Sequence, residues 1–476
     1  MGIVISKSKP SKEYIFAITA SIILGVTSVY FSRPLMLLAL GLGLVYLLRN
    51  KSEWILSAVI IGTLIFSDEN IQKIGIPAIG LNLLDFLMMP LSFIVFYNFI
   101  KNKEIKFNVT SFCITVLFLL GSFGILLGVQ NGFGIRGALR DYRTFVYLLL
   151  IFWVIYLDFN DKRKIWFLIF ALFVFVFVEL FLVATRKLVL NPAMAKQKIF
   201  IIGAGAHLNV WHFLAEYSFF PLLISVALLK NSYEFLSKRT KLFYIFTSII
   251  LFSVLILSFN RALYTTISLA LLWLLTKDIR KRGSFKRVFY IVLSVIFISI
   301  FLIQLAKLYK VEGFSGKLLD RVLYIKDLSE VSVQGRFIDA YLTFEEVIKN
   351  PFIGYGLGPK FSQSFLSSQY TKFDYSGTGM HMGYLWLAYR VGIIGLLLFL
   401  LIVWNTFKRG SKFLKFCQEN SLDKGLMLGL QSCLILISLQ AFFSTNLVYF
   451  KELPYWGIVI GLIYSLSRIT AQQKQL

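Results

Sequence analysis

Apolar stretches of helical length recur along the chain from end to end, separated by short polar links. About fourteen can be drawn, at 14–31, 34–48, 54–67, 83–100, 111–129, 144–158, 165–184, 210–229, 242–259, 262–276, 288–306, 382–405, 424–444 and 454–468. The second and third are short enough to form a re-entrant pair. One interruption is long. Residues 307–381 are mostly polar and sit between two apolar runs. The pattern predicts an all-α, polytopic integral membrane bundle of about 12–14 transmembrane helices with one long, partly helical extracytoplasmic loop. It divides into an N-terminal bundle of about eleven spans (1–306), the loop (307–381) and C-terminal transmembrane helices (382–476).

Composition agrees. The 476 residues are 58% hydrophobic with a mean hydropathy of +0.76, far above a soluble domain. The first apolar run follows a basic start (Lys7, Lys9, Lys12), and no small-x-small cleavage site follows it, so it reads as an uncleaved first span. The net charge of +25 would suit nucleic acid, but most Lys and Arg lie in the short links, and no basic patch with a reader module occurs. Cys113, Cys417 and Cys433 show no metal-ligand spacing and none falls in an outer loop, so neither a disulfide nor a zinc site is expected.

With a cytoplasmic N-terminus, every inner link is basic: Arg49 and Lys51, Lys101 to Lys106, Lys162 to Lys164, Lys238 to Lys241, Lys277 to Arg287, and Lys408 to Lys415. The odd number of preceding spans then places 307–381 outside. Three outer links break the charge rule. They carry Arg136, Arg140 and Arg143; Arg186, Lys187, Lys196 and Lys198; and Arg261 in a very short hairpin. Snorkelling to lipid phosphates is one explanation, especially for Arg186 and Lys187. Arg261, held between helix ends, is a functional candidate, and a guanidinium grips phosphate oxygens in two-pronged fashion.

Within the long loop, Arg336–Lys349 reads as an amphipathic helix stopped by Asn350-Pro351, with Phe337, Ala340, Tyr341, Phe344, Val347 and Ile348 on its apolar stripe. Arg336 would stand at its N-terminal end, where backbone N–H groups favour anions. Gly354-Tyr355-Gly356-Leu357-Gly358 lacks the context of a nucleotide loop and reads as a tight turn that lets the backbone approach a neighbour or a ligand. His381 closes the loop, either as an interfacial anchor or as a proton acceptor. His207 and His212 lack a third ligand. No Asp-x-Asp pair occurs, so a metal-bound sugar nucleotide is not favoured and charge for a leaving phosphate must come from arginine.

Three pieces in order, SFNRALYTTISLALLWLL, GRFIDAYLTFEEVIKNPFIGYGLG and GMHMGYLWLAYRVGIIGLLLF, carry a resemblance over about residues 255–400. Together they resemble the O-antigen ligase and Wzy-type polymerase superfamily of bacterial envelope glycosyltransferases. The resemblance implies a GT-C-type enzyme of the bacterial cytoplasmic membrane, inverting and needing neither metal nor cofactor. Its donor would be a glycan on undecaprenyl pyrophosphate and its acceptor a hydroxyl on the outer face. Carried onto this chain, Arg261 and Arg336 hold the pyrophosphate with Arg140 or Arg143 contributing, and His381 activates or positions the acceptor. Met382 stands where family members often have Asn, which removes a possible polar partner for the histidine. The expected activity is polymerisation of lipid-linked repeat units into O-antigen, capsule or exopolysaccharide. Its close alternative is ligation of the finished glycan to lipid A-core or protein. A lipid-linked oligosaccharide flippase is a third reading, but it gives no reason for a structured outer loop. Membrane lipids, a flippase and a chain-length regulator are the expected further partners.

Overall fold

The computed structural model describes residues 52–65, 75–76, 81–101, 107–189, 208–257, 261–277, 331–358, 382–417, 421–443 and 453–473; within the helices, some side chains, Arg261 and Arg336 among them, lie outside the description. Among the described residues the chain is helical apart from a two-residue antiparallel ladder, Gly75–Ile76 with Leu81–Asn82. The helices are α1 (Ser52–Ile65), α2 (Leu83–Lys101), α3 (Val109–Gln130), α4 (Ile135–Asp158), α5 (Lys162–Val189), α6 (Leu208–Asn231), α7 (Lys238–Leu257), α8 (Arg261–Thr276), α9 (Val331–Lys349), α10 (Gly383–Phe416), α11 (Leu422–Gln440) and α12 (Leu453–Gln473). Each expected apolar stretch that falls on described residues is a helix. The stretches 14–31, 34–48 and 288–306 lie outside them, as do 307–330 and 359–381 of the loop.

Among the described residues three helices, α3, α10 and α11, are long and apolar enough to cross a membrane. Large apolar side chains of α3, among them Phe112, Leu119, Phe123 and Leu126, are exposed, which is costly in water and natural in lipid. Helix starts follow from local chemistry. Asn108 caps α3 by accepting from the Ser111 amide at 3.0 Å, and the Ser111 hydroxyl closes the reciprocal bond to the Asn108 amide at 2.8 Å. Ser421 caps α11 through the Lys424 amide.

Helix α4 sits among α1, α2, α3 and α12. Close approach to α12 is bought by Gly457 and Gly461: a Cβ there would stand 2.8 Å from the Cβ of Ile151 and of Ile155, well inside contact. One end of this bundle is tied by charge. Lys162 pairs with Asp423 at 2.7 Å, and Lys164 bridges Asp158 at 2.7 Å and Glu53 at 3.5 Å. The Ser52 hydroxyl also reaches Asp158, and Arg468 donates to the carbonyls of Tyr156 and Phe159.

Two boundaries of the apolar stretches differ from the sequence expectation by more than two helical turns. Helix α4 starts at Ile135, not 144, so Arg136, Arg140 and Arg143 are helical, and the basic stretch is the first turns of a helix instead of a free link. Helix α10 runs on to Phe416 and carries Lys408, Arg409, Lys412 and Lys415. No Gly or Pro intervenes between Leu401 and Arg409 to stop it.

Candidate active site

Helix α10 is broken near its start. Val391 (φ −124°, ψ 16°) and Gly392 (φ 75°, ψ 175°) leave the helical region, which strands the carbonyls of Tyr389 and Arg390 and the amide of Ile393. The turn that follows α9 fills the break. Tyr355 N–H donates to Tyr389 O at 2.9 Å, Gly356 N–H to Arg390 O at 3.0 Å, and Ile393 N–H to Pro351 O at 2.7 Å. The turn then crosses to α3, where Leu357 N–H donates to Gly124 O at 2.8 Å, and to α4, where Gly358 N–H donates to the Asp141 carboxylate at 3.0 Å. With Gly354 N–H on Asn350 O, all five amides from Gly354 to Gly358 are paired.

This path explains the glycine spacing. Gly354, Gly356 and Gly358 have φ of 73°, 83° and 97°, a region L side chains rarely adopt. A Cβ on Gly356 would fall 2.4 Å from the Gly128 nitrogen, and one on Gly128 only 2.0 Å from Leu357 O. The expectation of a turn built for close backbone approach is met by a neighbouring helix. Leu357 is fully buried, and Tyr355 stacks on Tyr389 with ring centroids 4.8 Å apart. On the loop side, the Tyr355 hydroxyl donates to Glu346 at 2.7 Å, and Lys349 pairs with the same carboxylate at 2.6 Å. The Lys349 bond, then the Tyr355 hydroxyl, hold the Glu346 carboxyl below its ordinary range, and Glu346 in turn raises Lys349.

The charged centre of the site is Asp141, on α4. Its Oδ2, which accepts from Gly358 N–H, pairs with Arg390 Nη2 at 3.1 Å, and Arg140 Nε lies 3.7 Å from Oδ1. Both members of the Asp141–Arg390 pair are buried, and Arg390 Nε and Nη1 have no hydrogen-bond partner among the described residues. The Trp386 and Tyr389 rings lie 5.9 and 5.5 Å from its guanidinium carbon. One carboxylate therefore fastens the start of the segment that leads to His381 and the helix that begins just after it.

The expected site residues are placed unequally. Arg140 is half-exposed beside this centre. Arg143 is buried and committed elsewhere: its Nε lies 2.8 and 3.0 Å from the two Asp85 oxygens, its Nη2 is 2.7 Å from Oδ2, and Tyr147 donates to the same carboxylate at 2.7 Å. Arg261 is the first residue of α8, and residues 258–260 before it lie outside the described residues. Arg336 is on α9, but the helix begins at Val331, so Arg336 lies beyond its first turn and the anion-favouring amides of a helix start are not beside it. This corrects the expected Arg336–Lys349 boundary: Val331, Ser332 and Val333 continue the helix upstream of Gly335. The side chains of Arg261 and Arg336, the His212 side chain, His207 and His381 lie outside the described residues. Asp141 and Arg390 had no part in the expectation. The available signal was a lone arginine inside the apolar run GYLWLAYRVGIIG, since an ionisable residue there needs a partner.

The fold and site define a helical protein in which the turn after α9 is bolted into a broken, membrane-length helix. Residues 246–400 match the family described as O-antigen ligase. Proteins of this family are membrane proteins and glycosyltransferase-like enzymes of the ligase or polymerase type. No curated protein matches the chain at a significant level.

Proposed function

We propose that the protein is a polymerase joining undecaprenyl-pyrophosphate-linked repeat units on the outer face of the bacterial cytoplasmic membrane, with inversion and without a metal. The observation that carries the reading is that the matched region, 246–400, contains Arg261, Arg336 and His381 together with the whole glycine turn and its α10 socket. In this reading the protein is a bundle of about 12–14 spans, with its N-terminus cytoplasmic and 307–381 outside. The geometry supports that sidedness. Leu357 meets α3 at Gly124, about 24 Å along the helix from its Asn108 cap, and the ion-paired end of α4 at Asp158 lies about 25 Å from Asp141. In this reading the lysine-rich end lies at the inner face of a core about 30 Å thick, and the turn lies within the core towards its outer side.

The chemistry follows from charge. The acceptor hydroxyl attacks the anomeric carbon from the face opposite the pyrophosphate. The C1–O bond breaks with its electron pair leaving on the pyrophosphate, and His381 takes the hydroxyl proton. Negative charge grows on the departing oxygens, so Arg261 and Arg336, with Arg140, bind the transition state more strongly than the ground state. Of the two arginines expected from α4, Arg140 is the available one, because Arg143 already grips Asp85. Ligation of a finished glycan to lipid A-core or protein uses the same groups and is the alternative.

Purified protein incubated with a defined undecaprenyl-pyrophosphate repeat unit is expected to give a ladder of elongated products, undiminished by EDTA. Transfer only to lipid A-core would replace polymerase by ligase, and loss of activity on chelation would sink the metal-free mechanism. Independently, a Ser332→Cys variant is expected to react with a membrane-impermeant maleimide in intact cells or spheroplasts. Labelling only after lysis would invert the topology.

A further inference from the structure

Helix α9 has three faces. Thr343 and Val347 are buried against the bundle, and Glu345 and Lys349 form an exposed polar edge. The third face is apolar and open. Tyr341, Phe344 and Ile348, at i, i+3 and i+7, are 63%, 54% and 60% exposed, and Phe352 and Ile353 extend the patch beyond the helix. In water this would be an exposed apolar surface of the kind that marks an interaction site. It does not end at the loop. The Ile393 N–H bond to Pro351 O joins it to α10, whose exposed side chains Ile394, Leu397 and Trp404 continue it towards the basic end at Lys408.

We propose that α9 and the glycine turn lie in the membrane, with the Tyr341–Phe344–Ile348–Phe352 face bedded in the acyl chains of the outer leaflet. Two observations select lipid as the occupant. The first is continuity with the exposed side of a membrane-length helix. The second is depth: Ile393 is about 22 Å along α10 from Lys408, which puts Pro351–Ile353 below the outer edge of a 30 Å core. Irregular backbone at that depth needs polar partners within the protein, and in the glycine turn that follows Ile353 the amides from Gly354 to Gly358 all have them. The loop helix is thereby an interfacial helix, held at its C-terminal end inside the bilayer, with Glu345 and Lys349 turned to the headgroups. A donor whose phosphates sit at headgroup level would meet α9 without its lipid chain being lifted from the bilayer.

The inference rests on α10 spanning the membrane, so its test carries a reference on that helix. Full-length protein with Cys417→Ser, and with Phe344→Cys, Ile348→Cys, Glu345→Cys or Leu397→Cys added singly, is spin-labelled and placed in lipid nanodiscs. Cys113 and Cys433 are buried. The ratio of collisions with oxygen to collisions with a water-soluble nickel chelate is expected to be several-fold higher at Phe344→Cys and Ile348→Cys than at Glu345→Cys, and to match Leu397→Cys. Nickel-dominated collisions at 344 and 348, with oxygen dominating at 397, would overturn the lipid contact alone. Nickel domination at 397 as well would overturn the membrane reading beneath it. Protection from both reagents with spin–spin broadening would give the face to a second copy of the chain and likewise overturn the proposal.

Discussion

Asp141→Asn is expected to destabilise the protein by about 3–5 kcal/mol, the cost of leaving a buried charge without its partner. The asparagine keeps an oxygen for Gly358 N–H but gives Arg390 no counter-charge, and a guanidinium cannot shed its proton to adapt. Arg390→Met alone is expected to cost less, because a stranded carboxylate can take a proton. The double variant Asp141→Asn/Arg390→Met removes the charge on both sides while keeping the bond to Gly358, and an apolar replacement of a buried pair is often neutral. Thermal unfolding of the four proteins in one detergent forms the cycle. The double variant should be more stable than Asp141→Asn alone; additive losses would mean that the pair is not the fastening described above.

The second large effect is on turnover. His381→Ala is expected to lower glycan transfer by about 10²–10⁴-fold, the usual contribution of a positioned proton acceptor. Arg261→Ala and Arg336→Ala should each cost about 10²–10³-fold through lost stabilisation of the leaving pyrophosphate. Arg261→Lys should recover only part, since an ammonium lacks the two-pronged grip. Arg143→Ala is the contrast: it should lower the melting temperature by stranding Asp85, with smaller loss of turnover per folded molecule. Near-wild-type turnover in all three alanine variants of Arg261, Arg336 and His381 would remove the proposed mechanism. A turnover loss at Arg143→Ala exceeding that at Arg140→Ala would reverse the assignment between them.

What the chain declared in advance, and what it withheld, follows from range. Helices are local events, and apolar runs such as 111–129 and 424–444 state them directly. Ends were less legible. Residues 135–143 are too polar to read as a span, yet they form the first turns of α4 because Arg143 and Asp141 find counter-charges on other helices. The glycine turn was recognisable as a device for close approach, since three alternating glycines have few other uses. Its partner was not, because Gly124, Gly128 and the break at Gly392 are over a hundred residues away or hidden in an apolar run. Asp141 and Arg390 were missed for the same reason. Each looks ordinary or anomalous alone, and only the fold shows that one answers the other.

The long reach of the turn also orders assembly. Leu357 bonds to Gly124 and Gly358 to Asp141, 217 residues back, while Tyr355 and Gly356 take their acceptors from residues some thirty positions ahead. A ribosome delivering the chain from its N-terminus presents α3 and α4 early, then the loop, and α10 only afterwards. Until α10 arrives, the amides of Tyr355 and Gly356 have no acceptor and the Tyr355 ring has no Tyr389 to stack on. The turn therefore completes its hydrogen bonds only after the helix that follows it has been made.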